Sequence, residues 1–195
     1  MKLASHNSWS YLPVRKWWMR PLNFIAKCQA FSIITQYYSG VRMFDLRVRW
    51  CEDKGIFVLA HGIVTYDGEY KYDLLWLDQS AYKTDNPIYI RVLLEDSGRE
   101  NFSVDAEFAM LCHRLQKEFK NLSFIGGWPA RKRWRQKLFD FGTEEPSIDE
   151  QHVSVSGKWW QFVPERWAKK NNERVRIIKE EVEIIKSDFL MLDFI

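Results

Sequence analysis

The chain has few cysteines, few prolines and glycines, no long apolar run and no large excess of one charge, and each shortage closes off a class of protein. Its three cysteines, Cys28, Cys51 and Cys112, are odd in number, widely spaced and without a CxxC pair. They supply neither a disulfide framework nor a zinc site and read as buried free thiols. Six prolines and nine glycines among 195 residues exclude collagen-like and low-complexity chains. No stretch approaches the ~20 apolar residues that a membrane-spanning helix needs. With 29 basic against 26 acidic residues the net charge is +3, which permits contact with phosphates or an anionic membrane and argues for neither. Met1 leads directly into a short apolar run without a basic-then-apolar leader, so the expectation is a protein that is cytoplasmic or peripheral to a membrane.

Apolar residues are plentiful. At 46% hydrophobic and 16% aromatic the chain can bury one sizeable core, which gives one domain over residues 1–195. Strand patterns occur at Leu3–Ser5, Val41–Trp50, Gly55–His61, Ile88–Leu94, Leu122–Ile125, Val153–Val155 and Phe189–Ile195. Helical spacing lies between them: Ala26–Tyr38 with Phe31, Ile34 and Tyr38 on one face, Leu74–Tyr82, Val104–Lys120 behind a Ser103 cap, and a long charged helix opened by Pro164. Cys112 and His113 ride on the third of these and read as structural. Alternating strand and helix patterns predict an α/β fold with a parallel sheet and outer helices, closed as a TIM-type (β/α) barrel. Seven strands are visible where eight would be regular. The barrel is therefore compact with fewer than eight regular units, or it hides a strand within Tyr11–Phe24 or Phe139–His152.

Barrel chemistry gathers at the carboxyl ends of the strands, and polar residues collect there. His6 and His61 each follow a short apolar run, Glu95 follows Ile88–Leu94, and Asp193 follows Phe189–Leu192. In Val41–Trp50 alternation puts Arg42, Phe44, Leu46 and Val48 on one face and Met43, Asp45, Arg47 and Arg49 on the other. Inward charges in a barrel need partners or a ligand. Two imidazoles at one mouth suit phosphodiester cleavage, because one takes a proton while the other gives one. Two basic stretches lie elsewhere. Arg15, Trp17, Trp18 and Arg20 suit a lipid headgroup boundary, whereas Arg131–Arg135 lacks the aromatic spacing of single-strand nucleic-acid binders and reads as a solvated face.

Ser5-His6-Asn7-Ser8, the stretch from Gln29 through Gln36 into Gly40–Val48, His61-Gly62 and the closing Met191-Leu192-Asp193-Phe194 together resemble the catalytic domain of phosphatidylinositol-specific phospholipase C, especially its small, metal-independent bacterial form. The resemblance is specific in the first third of the chain and weak in the last. It implies that His6 is a general base oriented by Asp193, that Arg47, fixed by Asp45, holds the phosphate, and that His61 protonates the leaving alcohol, with a cyclic phosphodiester as first product. Asn7, Glu95, Trp128 and Trp159 are the implied substrate-binding residues.

Departures from the family pattern qualify the substrate. Asn7 stands where the bacterial form has aspartate, as in the calcium-dependent eukaryotic form, and Asn7, Asp45 and Glu95 fall on three calcium-ligand positions of that form. Arg47 occupies the fourth and would repel the ion, so the expectation is no cofactor, with calcium as the alternative. Gly157 stands in place of an inositol-binding aspartate and Gly127 in place of an arginine, while Trp159 keeps an aromatic platform. The expected partner is thus a phospholipid or another phosphodiester, with transient membrane contact and no nucleic acid. The competing readings are an inactive phospholipid-binding module and a metal-dependent glycerophosphodiesterase.

Overall fold

The computed structural model describes residues 2–84, 86–95, 101–126, 136–144, 146–151, 163–169, 171–172 and 187–195. Its strands are β1 (Lys2–Ser5), β2 (Val41–Cys51), β3 (Ile56–His61), β4 (Val64–Thr65), β5 (Ile88–Glu95), β6 (Leu122–Ile125), β7 (Gln136–Leu138), β8 (Ile148–Gln151) and β9 (Phe189–Leu192). Its helices are a 3-10 helix at Trp17–Leu22, then α1 (Asn23–Ala26), α2 (Ile33–Tyr38), α3 (Tyr70–Lys83) and α4 (Phe102–Glu118).

Six strands run parallel in the order β8, β9, β1, β2, β5, β6. The two long strands, β2 and β5, each carry two sets of neighbours. Their first halves pair in parallel with β1 and β6, whereas their second halves take antiparallel partners, β3 on β2 and β7 on β5. Alternation along the strands separates two layers. Phe44, Leu46, Val48, Ile90, Val92 and Leu94 turn outward into a core shared with Leu74 and Leu77 of α3 and Phe108, Leu111 and Leu115 of α4. Ala4, Met43, Ile125, Phe189 and Met191 turn inward and fill the barrel. Leu74 and Leu77 are fully buried, so truncating either to alanine removes about 2–5 kcal/mol.

Several local expectations change. Ala26–Tyr38 is not one helix, because residues 27–32 leave the helical path between α1 and α2. Ser10 Oγ takes the backbone N–H groups of both Cys28 and Gln29 at 2.9 Å, and Ser32 caps α2 by accepting from the Thr35 N–H. Tertiary hydrogen bonds thereby outweigh helical propensity. The buried face of α2 is Ile33, Gln36 and Tyr37, while Phe31, Ile34 and Tyr38 are exposed. β3 is antiparallel rather than a further parallel strand, since four residues separate it from β2 and a parallel return needs a crossover of about a dozen. Asn101, not Ser103, caps α4. Cys28 and Cys112 are buried and Cys51 half-buried, all three free. β8 supplies the strand hidden within Phe139–His152. The strand expected at Val153–Val155 lies outside the described residues, as do Arg131–Arg135 and most of the helix after Pro164, of which residues 164–169 are helical.

Candidate active site

The site is built where the chain leaves β1. His6 follows the strand directly, and Asn7 then adopts φ 44°, a left-handed conformation that asparagine tolerates better than most residues. The turn is fixed from β2: Asp45 Oδ2 accepts from the Asn7 backbone N–H at 3.0 Å, and Ser8 Oγ accepts from the Asp45 N–H at 2.8 Å. Two buried glutamines complete the brace. Gln36 accepts from Ser5 Oγ at 2.6 Å and donates to the Ser8 carbonyl, while Gln29 donates to the carbonyls of His6 and Leu192. The ends of β1 and β9 are thus tied to each other before any side chain enters the mouth.

Four strand ends then deliver charge. From β1 and β9 come His6 and Asp193, with His6 Nδ1 2.6 Å from Asp193 Oδ1 and both side chains fully buried. A carboxylate accepts, so Nδ1 carries the hydrogen and Nε2 the lone pair in the neutral ring. From β2 and β5 comes an ion triplet: Arg47 Nε donates to Asp45 Oδ2 at 2.7 Å and Nη1 to Glu95 Oε1 at 3.0 Å. Burial alone would lower the guanidinium's pKa, but the two carboxylates push it up instead. Burial likewise raises the Asp45 carboxyl, and Arg47, then Arg91 and His6, overcome it and hold the pKa at about 2. Arg91 is the inward residue opposite Asp45 in the β2–β5 register.

His61 arrives differently, on the antiparallel β3. Its ring meets His6 edge to face, centroids 5.4 Å apart at 86°, and it is half-buried where His6 is enclosed. The site therefore reaches solvent on the His61 side. Its Nδ1 lies 2.8 Å from the Ala26 carbonyl and 3.8 Å from Cys28 Sγ. The same carbonyl accepts from Tyr66 Oη at 3.1 Å and Asn7 Nδ2 at 3.3 Å. Burial and the nearby Arg47 charge lower the His61 pKa, and burial pushes the Cys28 thiol up.

The structure brings together His6, Asn7, Asp45, Arg47, His61, Glu95 and Asp193. Trp128, Trp159, Gly127 and Gly157 lie outside the described residues. For the calcium alternative, Asp45 and Glu95 grip the guanidinium from two sides and the Asn7 amide is turned to Ala26. A cation among them would have to displace Arg47. Ala26, Cys28, Tyr66 and Arg91 are neighbours that sequence reasoning missed. Only Arg91 left a signal, as the single charged residue within the strand pattern Ile88–Leu94. Arg15 is half-buried in the loop beyond, while Trp17 and Trp18, 76% and 53% exposed, stand beside exposed Arg20. Among the described residues no helix is long and apolar enough to cross a membrane.

No protein-family model matches the sequence, and neither does any curated protein. Solved structures do match. The phosphatidylinositol-specific phospholipase C of Listeria monocytogenes superposes with a TM-score of 0.62 at 16% identity, covering 99% of this chain and 87% of that one. A mutant of the Staphylococcus aureus phosphatidylinositol-specific phospholipase C gives 0.60 at 17% identity, covering 99% and 85%. Another S. aureus structure, described under modulation of that enzyme's membrane binding, gives 0.58 at 16%, again covering 99% and 85%. At these identities the likeness is one of fold, and it runs the length of the chain: the protein has the TIM-type barrel fold of the bacterial phosphatidylinositol-specific phospholipases C.

Proposed function

We propose that the protein is a phosphodiesterase of the phosphorus–oxygen lyase type, acting on a phospholipid or a related alcohol-phosphate diester. The observation that carries the proposal is the pair of edge-to-face imidazoles, one oriented by Asp193 and one by a backbone carbonyl, beside a buried guanidinium. His6 Nε2 takes the proton of a substrate hydroxyl next to the phosphate. That oxygen forms a new bond to phosphorus, the bond to the leaving alcohol breaks, and His61 gives the alcohol its proton. Arg47 faces the charge that develops on the phosphoryl oxygens. A cyclic phosphodiester and a free alcohol result, and no step requires a metal. Exposed Trp17 and Trp18, with Arg15 and Arg20, form the surface for transient lipid contact.

The test is turnover of phosphatidylinositol vesicles and of soluble glycerophosphodiesters, with and without chelator. His6→Ala and His61→Ala should each lose ~10²–10⁴-fold, the usual contribution of a general acid or base. Wild-type turnover in both variants would sink the proposal. Vesicle binding without cleavage of any diester would favour the binding-module reading, and abolition by chelator the metal-dependent one. Since burial and Arg47 lower the His61 pKa, the fraction of protonated acid shrinks early. The rate should therefore fall as pH rises through a value below the ordinary imidazole pKa of 6.5.

A further inference from the structure

Cys28 is a buried thiol that the proposed reaction does not use, and it sits among the groups that the reaction does use. One ring nitrogen each from His6 and His61, together with Cys28 Sγ, lie within 4.8 Å of one another. The N–N and N–S edges of a tetrahedral zinc site, built from Zn–N of about 2.0 Å and Zn–S of about 2.3 Å, are about 3.3–3.5 Å long. A closure of about 1 Å would therefore seat an ion on the ring nitrogens that carry the lone pairs. The surroundings match those of metal-binding imidazoles, whose second nitrogen is held by a carboxylate or a backbone carbonyl: Asp193 stands at Nδ1 of His6 and the Ala26 carbonyl at Nδ1 of His61. Charge agrees. Three carboxylates, Asp45, Glu95 and Asp193, stand at the mouth with three guanidiniums, Arg47, Arg49 and Arg91, and a coordinating thiolate would add the one negative charge that a divalent ion offsets.

The geometry points to a His6–Cys28–His61 site for a borderline-soft divalent ion such as Zn²⁺, whose occupation holds both imidazoles and so switches off acid–base chemistry at this mouth. Binding follows from the geometry alone, and only the inhibitory consequence rests on the proposed phosphodiesterase. Nitrogen and sulfur donors select such an ion over calcium, which requires oxygen ligands.

Binding and inhibition are separately measurable on the full chain. Titration with Co²⁺ should give one equivalent with tetrahedral visible bands and an ultraviolet thiolate-to-cobalt band, displaced by Zn²⁺. Cys28→Ser should lose the thiolate band and bind Zn²⁺ at least ~10-fold more weakly, Asp193→Asn should bind ~10–100-fold more weakly through its orienting role, and His113→Ala, remote from the mouth, should match wild type. Cobalt bound to the wild-type chain without a thiolate band overturns the site, whether or not any variant folds. Saturating Zn²⁺ should suppress at least ~90% of diester turnover, restored by chelator, and undiminished turnover with Zn²⁺ bound overturns the switch. Failure of the phosphodiesterase reading is distinguishable, because it shows as no turnover by the metal-free protein while the cobalt spectrum still reads the site.

Discussion

His6 and His61 share one mouth but are held in opposite ways. His6 stands at the junction of two parallel strands, fully buried, its Nδ1 against a fully buried carboxylate and its backbone carbonyl held by Gln29. His61 ends a hairpin strand, half-buried, with a backbone carbonyl and the Cys28 thiol, but no carboxylate, at Nδ1. A carboxylate stabilises the imidazolium that a base becomes, whereas a neutral carbonyl fixes a tautomer and leaves the charge to be set by burial and Arg47. The difference is what a proton relay needs, one ring biased to accept and the other ready to release. Asp193→Asn should break the contrast most severely, because an amide cannot enforce the Nδ1–H tautomer. The expected loss is ~10²–10⁴-fold in turnover, comparable with removing His6 itself, and a His6→Ala, Asp193→Asn double variant should be little worse than either single one. Additive losses would show that Asp193 acts independently of His6.

Acid should take the two sides apart at different pH. The Asp45 carboxyl, which anchors the Asn7 turn and Arg47 on the His6 side, has a folded pKa of about 2 against an ordinary 3.8. The folded value is the lower one, so the stabilisation is fully present above 3.8 and is lost as pH falls through about 2. The shift corresponds to about 2 kcal/mol. His61 also has a lowered folded pKa, but its stabilisation of the folded state starts to fade earlier, as pH falls below 6.5. Urea unfolding measured downward from about pH 5 should lose stability more steeply in wild type than in Asp45→Asn. Parallel slopes in the two proteins would remove Asp45 as the anchor.

The same contrast decides how much the sequence revealed. Alternation in Val41–Trp50 is strong because β2 has helices on one side and the barrel interior on the other, so the inward set Met43, Asp45 and Arg47 is legible from parity alone. Asp193 and Glu95 are legible as acids at the ends of apolar runs. The anchor of His61 is not, because it is the carbonyl of Ala26, and a backbone atom carries no residue signature. Residues 27–32 were equally opaque: their helical spacing is genuine, but Ser10, 18 and 19 positions away in sequence, takes the N–H groups that a helix would use. The hairpin of β2 and β3 follows from the short Glu52–Gly55 connection, a constraint that composition and periodicity do not express.

The smallest expected effect sharpens the comparison on the His61 side alone. Tyr66 Oη donates to the Ala26 carbonyl at 3.1 Å, in competition with His61 Nδ1 at 2.8 Å and Asn7 Nδ2 at 3.3 Å. Tyr66→Phe removes one of these donors without leaving the acceptor unsatisfied, so the stability cost should stay near ~0.5–1.5 kcal/mol, that of a single hydrogen bond. With less competition the carbonyl binds the His61 N–H more firmly and favours the imidazolium. The alkaline limb of the pH–rate profile should therefore move upward by a few tenths of a unit, while the acid limb stays in place. Movement of both limbs together would mean that Tyr66 holds the whole mouth rather than one ring, and that the two histidines are supported less separately than the hydrogen bonds at their Nδ1 atoms imply.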